Sequence, residues 1–144
     1  EIQRRLTAVN PAAYEPNLAN SLSNLGAQLA QAGRRSEALA PIEEVAGIYQ
    51  RLAADNPAAY EPNLASSLSL FAALLRAERD FSTALRVTRE VVDLFRSQIA
   101  TRPSVAPQLH AVLGLQADLL EALGHVDEAE EVRRWLSENP LLSS

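Results

Sequence analysis

The sequence predicts an all-α fold built from repeated helical hairpins, and three observations carry that prediction. A ten-residue block, NPAAYEPNLA, occurs at Asn10–Ala19 and again, unchanged, at Asn56–Ala65, 46 positions later. Apolar residues recur at steps of four, three and four, the period of one helix face. No stretch alternates apolar and polar residues as a half-buried strand would. The similarity extends past the block: Arg5-Leu6 pairs with Arg51-Leu52, and Ser21-Leu22-Ser23 with Ser67-Leu68-Ser69. A diverged third copy follows. Arg102-Pro103 falls 46 residues after Asn56-Pro57, and one deletion then puts Leu109 45 residues after Leu64. Self-similarity at this period signals a repeat architecture. The expected organisation is 1–9 as the tail of a preceding helix, 10–55 as repeat 1, 56–101 as repeat 2 and 102–144 as repeat 3.

Each repeat is expected to hold two amphipathic helices. In repeat 1 the first carries the stripe Leu18, Leu22, Leu25 and Leu29; in repeat 2 the same steps give Leu64, Leu68, Phe71 and Leu75. Gly33 suits the left-handed residue just past a helix end, and Ser36 is the expected N-cap of the second helix. That helix carries Ala38, Ile42, Val45, Tyr49 and Leu52. Asp80 or Ser82 is the expected cap in repeat 2. Proline is welcome in a first helical turn and costly further in. Pro16 and Pro62 are therefore assigned to the starts of first helices, and Pro11 and Pro57 to the preceding links. The repeated Tyr14-Glu15-Pro16 and Tyr60-Glu61-Pro62 elements read as structural corners, each with a packed Tyr.

Leu22 to Leu29, then Gly33, then Glu37-Ala38-Leu39, resemble the signature of the tetratricopeptide repeat family. Gly26 and Ala38 keep the family's twelve-residue spacing of small residues, as do Ala72 and Ala84, and Ala117 and Ala129. The 46-residue period departs from the usual 34. In this it is similar to kinesin light chain-type repeats and to arrays in large signalling proteins of GC-rich bacteria. The resemblance implies a right-handed superhelix of antiparallel hairpins. It also implies a protein-interaction scaffold that is part of a larger protein and binds a peptide or partner along its concave face. Asn20, Ser23, Asn24, Gln31, Ser66, Ser69, Leu70, Arg76, Leu115 and Asp118 are the candidate partner-binding residues, because they lie off the packing stripe of the first helices. Only Asn24 fits the carboxylate clamp of chaperone-binding members, so no such clamp is expected. The alternative is an array that self-associates or packs on the parent protein's effector domains.

Composition narrows the remaining classes. The net charge is −5, from 13 basic and 18 acidic residues, and no basic block is present. Nucleic acid and anionic membranes are therefore not expected partners. No apolar run approaches the length of a membrane span. Cys is absent, which excludes disulfides and thiolate metal sites, and the cytoplasm is the expected compartment. His110 and His125 stand in no metal pattern, no serine sits in a nucleophile elbow, and the five glycines form no phosphate loop. No enzyme activity, cofactor or metal is expected.

Two expectations concern the ends. Ile2 and Leu6 align with Ile48 and Leu52, so apolar surface at the N-terminal end is expected to pair two copies. At the other end, Glu130 and Arg133 replace Leu39 and Ile42, and Val126 to Glu138 is expected to form a capping helix with Val132, Trp135 and Leu136 turned inward. A fully buried Trp135 would make Trp135→Ala cost about 3–5 kcal/mol.

Overall fold

In the computed structural model, which describes residues 11–140, the protein is all-α. The elements are α1 (Pro11–Gln31), α2 (Arg35–Asp55), α3 (Pro57–Ala77), α4 (Phe81–Gln98), a 3-10 turn (Pro103–Val105), α5 (Ala106–Ala122) and α6 (Val126–Glu138). No strand occurs among the described residues. The chain divides into two compact units between Leu74 and Leu75, inside α3. Residues 1–9, with the expected dimer-forming end, lie outside the described residues.

In the first unit α1 and α2 pack as an antiparallel hairpin. The seam is set by side-chain size. A Cβ built on Gly26 would lie 2.6 Å from Ile42 Cγ1, and Ala38 and Ile42 are 0% and 1% exposed. The small-residue spacing read from the sequence therefore marks a place where α2 approaches α1 closely. Leu18, Leu22, Val45 and Ile48 complete the core of the hairpin, and α3 contributes buried Leu64, Leu68 and Phe71. Tyr60 of α3 stacks on Tyr49 of α2, with ring centroids 6.3 Å apart. This is the packed corner expected for the second Tyr-Glu-Pro element; the Tyr14 side chain of the first lies outside the described residues.

In the second unit α5 packs against both α4 and α6. Val91, Phe95, Leu113, Leu119 and Leu120 are buried, and Ala84, Ala117 and Ala129 are 0% exposed. Val126 and Glu138 bound α6 as the sequence predicts.

The turns after α1, α3 and α5 share one geometry. Gly33, Arg79 and Gly124 have φ of 79°, 65° and 86°. In each turn the next residue's N–H reaches back five residues, Arg34 to the Leu29 carbonyl, Asp80 to Leu75 and His125 to Leu120, at 2.8–2.9 Å. The paired shorter bonds, Gly33 to Ala30, Arg79 to Arg76 and Gly124 to Glu121, complete a Schellman motif each time. Gly accepts the left-handed backbone freely, whereas Arg79 holds it against its own Cβ with its guanidinium over the Phe81 ring.

The structure corrects three local expectations. Pro11 and Pro57 are the first residues of α1 and α3 rather than link residues, and Pro16 and Pro62 lie inside those helices. The duplicated block starts its helix with the first of its two prolines, which needs no amide partner there, and each helix gives up one internal hydrogen bond at the second. Arg34, not Ser36, is the N-cap of α2. The next helix starts two residues earlier than the sequence suggests, and the Arg34 side chain reaches the Glu37 carboxylate. That hydrogen bond holds the Glu37 carboxyl below its ordinary value, so the pair is intact at neutral pH and is lost as pH falls through the lowered value. Asp80 caps α4, accepting from the Thr83 amide at 3.4 Å. Finally, Leu25 is 44% exposed while its repeat counterpart Phe71 is buried. Register within the stripe does not decide burial where a neighbouring helix has to supply the cover.

Two stability predictions follow from this packing. Gly26→Ala and Gly47→Ala are the same change in helix interiors, yet they should have opposite signs. At Gly26 overpacking costs about 1–3 kcal/mol against a helix-propensity gain of about 1 kcal/mol, for a net loss. At Gly47 the new Cβ meets only Arg51 Nη1, at 3.9 Å, leaving a gain of about 0.5–1 kcal/mol. Urea midpoints of the two variants measure both. Thr88 is 0% exposed and its hydroxyl has no hydrogen-bond partner. Thr88→Val should therefore stabilise the protein by about 1 kcal/mol, read as a rise in the thermal midpoint.

Candidate functional site

The first unit carries an open groove of about 320 Å³ to which three helices contribute. Asn20 and Ser23 of α1 stand three residues apart on one helix face, and so do Asn63 and Ser66 of α3. Tyr49 of α2 and Pro62 of α3 complete its apolar part, with Ser67 at the edge. Asn20 and Ser66 occupy the same place in successive repeats, 46 residues apart, so the groove draws equivalent positions from α1 and α3. The Ser67 hydroxyl donates to the Asn63 backbone carbonyl at 2.8 Å, and Asn63 itself is exposed. Asn20, Ser23, Asn63 and Ser66 present neutral donors and acceptors, and among the described residues no Arg, Asp or Glu lines the site.

Three of the ten residues singled out from the sequence, Asn20, Ser23 and Ser66, meet here. Asn24 and Gln31 are exposed elsewhere on α1, and Leu70 is 38% exposed on α3. The Ser69 hydroxyl donates to the Ala65 carbonyl of its own helix at 2.8 Å. Sequence reasoning missed Asn63 and Tyr49 as groove residues. Asn63 lies inside the duplicated block, where repetition was read as structural, and Tyr49 lies on a core stripe. The available signal was the i, i+3 pairing of Asn63 with Ser66.

In the second unit Arg76 and Asp118 pair with each other, 3.6 Å apart. Arg133 joins them: it donates to Asp118 at 3.0 Å and pairs with Glu121. The hydrogen bonds to Glu121 and Asp118 hold the Arg133 guanidinium above its ordinary value. Arg133 thus ties α6 to α5, and Arg76 and Asp118 serve an ion network. Leu115 is half-buried on α5.

A second, more apolar groove of about 190 Å³ in this unit is lined by Arg96, Leu113, Gln116, Glu131, Val132 and Trp135. Trp135 is 41% exposed and Val132 and Leu136 are half-exposed, which overturns the expectation that all three turn inward. In α6 only Ala129 is buried. The polar outer positions Glu130 and Arg133 are exposed as the sequence implies, but the opposite side is not covered in full. The ring of Trp135 lies against His110, with centroids 5.7 Å apart. The full-burial cost for Trp135→Ala does not apply.

Among the described residues no group of three or more His, Cys, Asp or Glu could hold a metal ion, and no helix is long and apolar enough to cross a membrane. No protein-family model matches the chain, and no curated protein matches it significantly.

One ion pair supports the groove's framework. The Glu15 side chain on α1 is 8% exposed and accepts from Arg51 of α2, with Nε at 3.2 Å and Nη2 closer. Arg51→Ala would leave that carboxylate nearly buried without its cation, at a cost of about 1–2 kcal/mol once the 62% exposure of Arg51 is allowed for. Adding Glu15→Gln should recover part of the loss. Urea unfolding of the single and double variants measures the coupling, and equal stability of all three would refute the role.

Proposed function

We propose that this chain is a protein-interaction scaffold of the helical-repeat class that binds an extended peptide of a partner protein. Within that class it is read as a long-period tetratricopeptide-type array, with hairpins stacked in a right-handed superhelix and acting as a cytoplasmic segment of a larger protein. The observation that carries this reading is the neutral groove. Asn20, Ser23, Asn63 and Ser66 offer the hydrogen bonds a peptide backbone needs, because an Asn amide can pair with both N–H and C=O. Four such bonds at about 1 kcal/mol each suit weak, reversible binding. The repeat register supports it too, since α1 and α3 present equivalent positions to one ligand.

A second reading, self-association or packing on a neighbouring domain, is favoured by the Trp135 groove, where half-exposed Val132 adjoins the Trp135 ring. Exposed aromatic anchors of this kind dominate interface energetics.

A pull-down separates the two. Asn20→Ala with Asn63→Ala should reduce partner capture about tenfold or more, while Trp135→Ala leaves it unchanged. Loss on Trp135→Ala alone would transfer the function to the second reading.

A further inference from the structure

The neutral groove points to a ligand class, an inference that rests on the peptide-binding reading above. We propose that its occupant is an uncharged, proline-containing segment held in the polyproline II conformation. The described residues include no strand edge, so an incoming chain has no ladder to extend, and recognition falls to side chains. The described lining residues bear no formal charge, so neither an acidic nor a basic peptide gains an ion pair from them. The polar groups supplied are the amides of Asn20 and Asn63 and the hydroxyls of Ser23 and Ser66. Polyproline II leaves its carbonyls unpaired and proline has no N–H, so such a ligand is rich in acceptors, to which the Asn NH2 groups and Ser hydroxyls can donate while their own acceptors stay with water. The Pro62 ring, half-buried, and the edge of Tyr49, which is 6% exposed and stacked on Tyr60, supply a small apolar patch against which a pyrrolidine ring can pack.

Conformational entropy selects among uncharged ligands. A flexible segment must lose backbone freedom on binding, and a groove offering only neutral hydrogen bonds and one small apolar surface returns little against that loss. A segment already fixed in polyproline II loses much less.

The test is a titration of the full chain followed through the side-chain amide signals of Asn20 and Asn63. The probes are blocked peptides of about ten residues: an oligoproline, a Gly-Ser repeat and an oligoproline bearing Glu or Arg at both ends. The oligoproline should shift both signals and bind at least about fivefold tighter than the Gly-Ser peptide. Its affinity should be unchanged between about 50 and 500 mM salt, and Asn20→Ala with Asn63→Ala should weaken it about tenfold. Equal binding of the Gly-Ser peptide, or tighter and salt-sensitive binding of a charged-end peptide, would overturn the ligand class and leave the peptide groove standing. No shift with any of the three peptides would overturn both.

Discussion

The structure depends on close approach between paired helices, which is possible only where side chains are nearly absent. Two helices can nest at short separation when small residues sit at the crossing. In the first hairpin that residue is Gly26, and Ile42 fills the space a Cβ would need. Ala117 is the counterpart of Gly26, and Ala84 and Ala129 are counterparts of its partner Ala38; all four alanines are 0% exposed. Larger side chains there would push the helices apart, and the leucines and valines on either side would lose contact. The core is built from small and medium residues, with one Trp and three Phe in the chain. Such a core gains its dispersion energy from many modest contacts and tolerates little separation.

The position of Ile42 shows how the repeats diverge while keeping this constraint. Its counterparts are Thr88 and Arg133. Ile42 is buried against Gly26, Thr88 is buried with an unpaired hydroxyl, and Arg133 is exposed and bridges to Asp118 and Glu121. One register position has moved from packing to a tolerated polar burial to an ion pair. The turns show the opposite behaviour. Gly33, Arg79 and Gly124 keep one backbone geometry although the middle residue is strained by it. Tertiary packing of the adjoining helices therefore holds the turn, whatever residue occupies it.

Much of the helical layout was legible in the sequence, because 46-residue identity and 3.6-residue periodicity are properties of the chain itself. What was not legible depended on neighbours. Leu25 and Phe71 share a register position, yet one is exposed and the other buried. Trp135 looks like a core residue by type and spacing, but it lies at the open side of α6. The prolines misled because the duplicated block contains two, and either could open a helix. Of the candidate site, Asn20 and Ser23 on α1 and Ser66 in the middle of α3 were legible as small polar residues off the packing stripe. Asn63 and Tyr49 were not, since a groove wall is defined by three helices at once and no single periodic pattern records it.

The two units treat their polar residues in opposite ways, and this bears on where a ligand can bind. In the second unit Arg76, Asp118, Glu121 and Arg133 are joined in one ion network, and a ligand using any of them would have to break it. In the first unit the nearly buried Glu15 carboxylate is paired with Arg51, while Asn20, Ser23, Asn63 and Ser66 line a common space. Neutral groups cost little to desolvate when a partner supplies hydrogen bonds in return. On the peptide-binding reading proposed above, such a surface favours a ligand that replaces water on both counts, with acceptors in the right places and little freedom to lose.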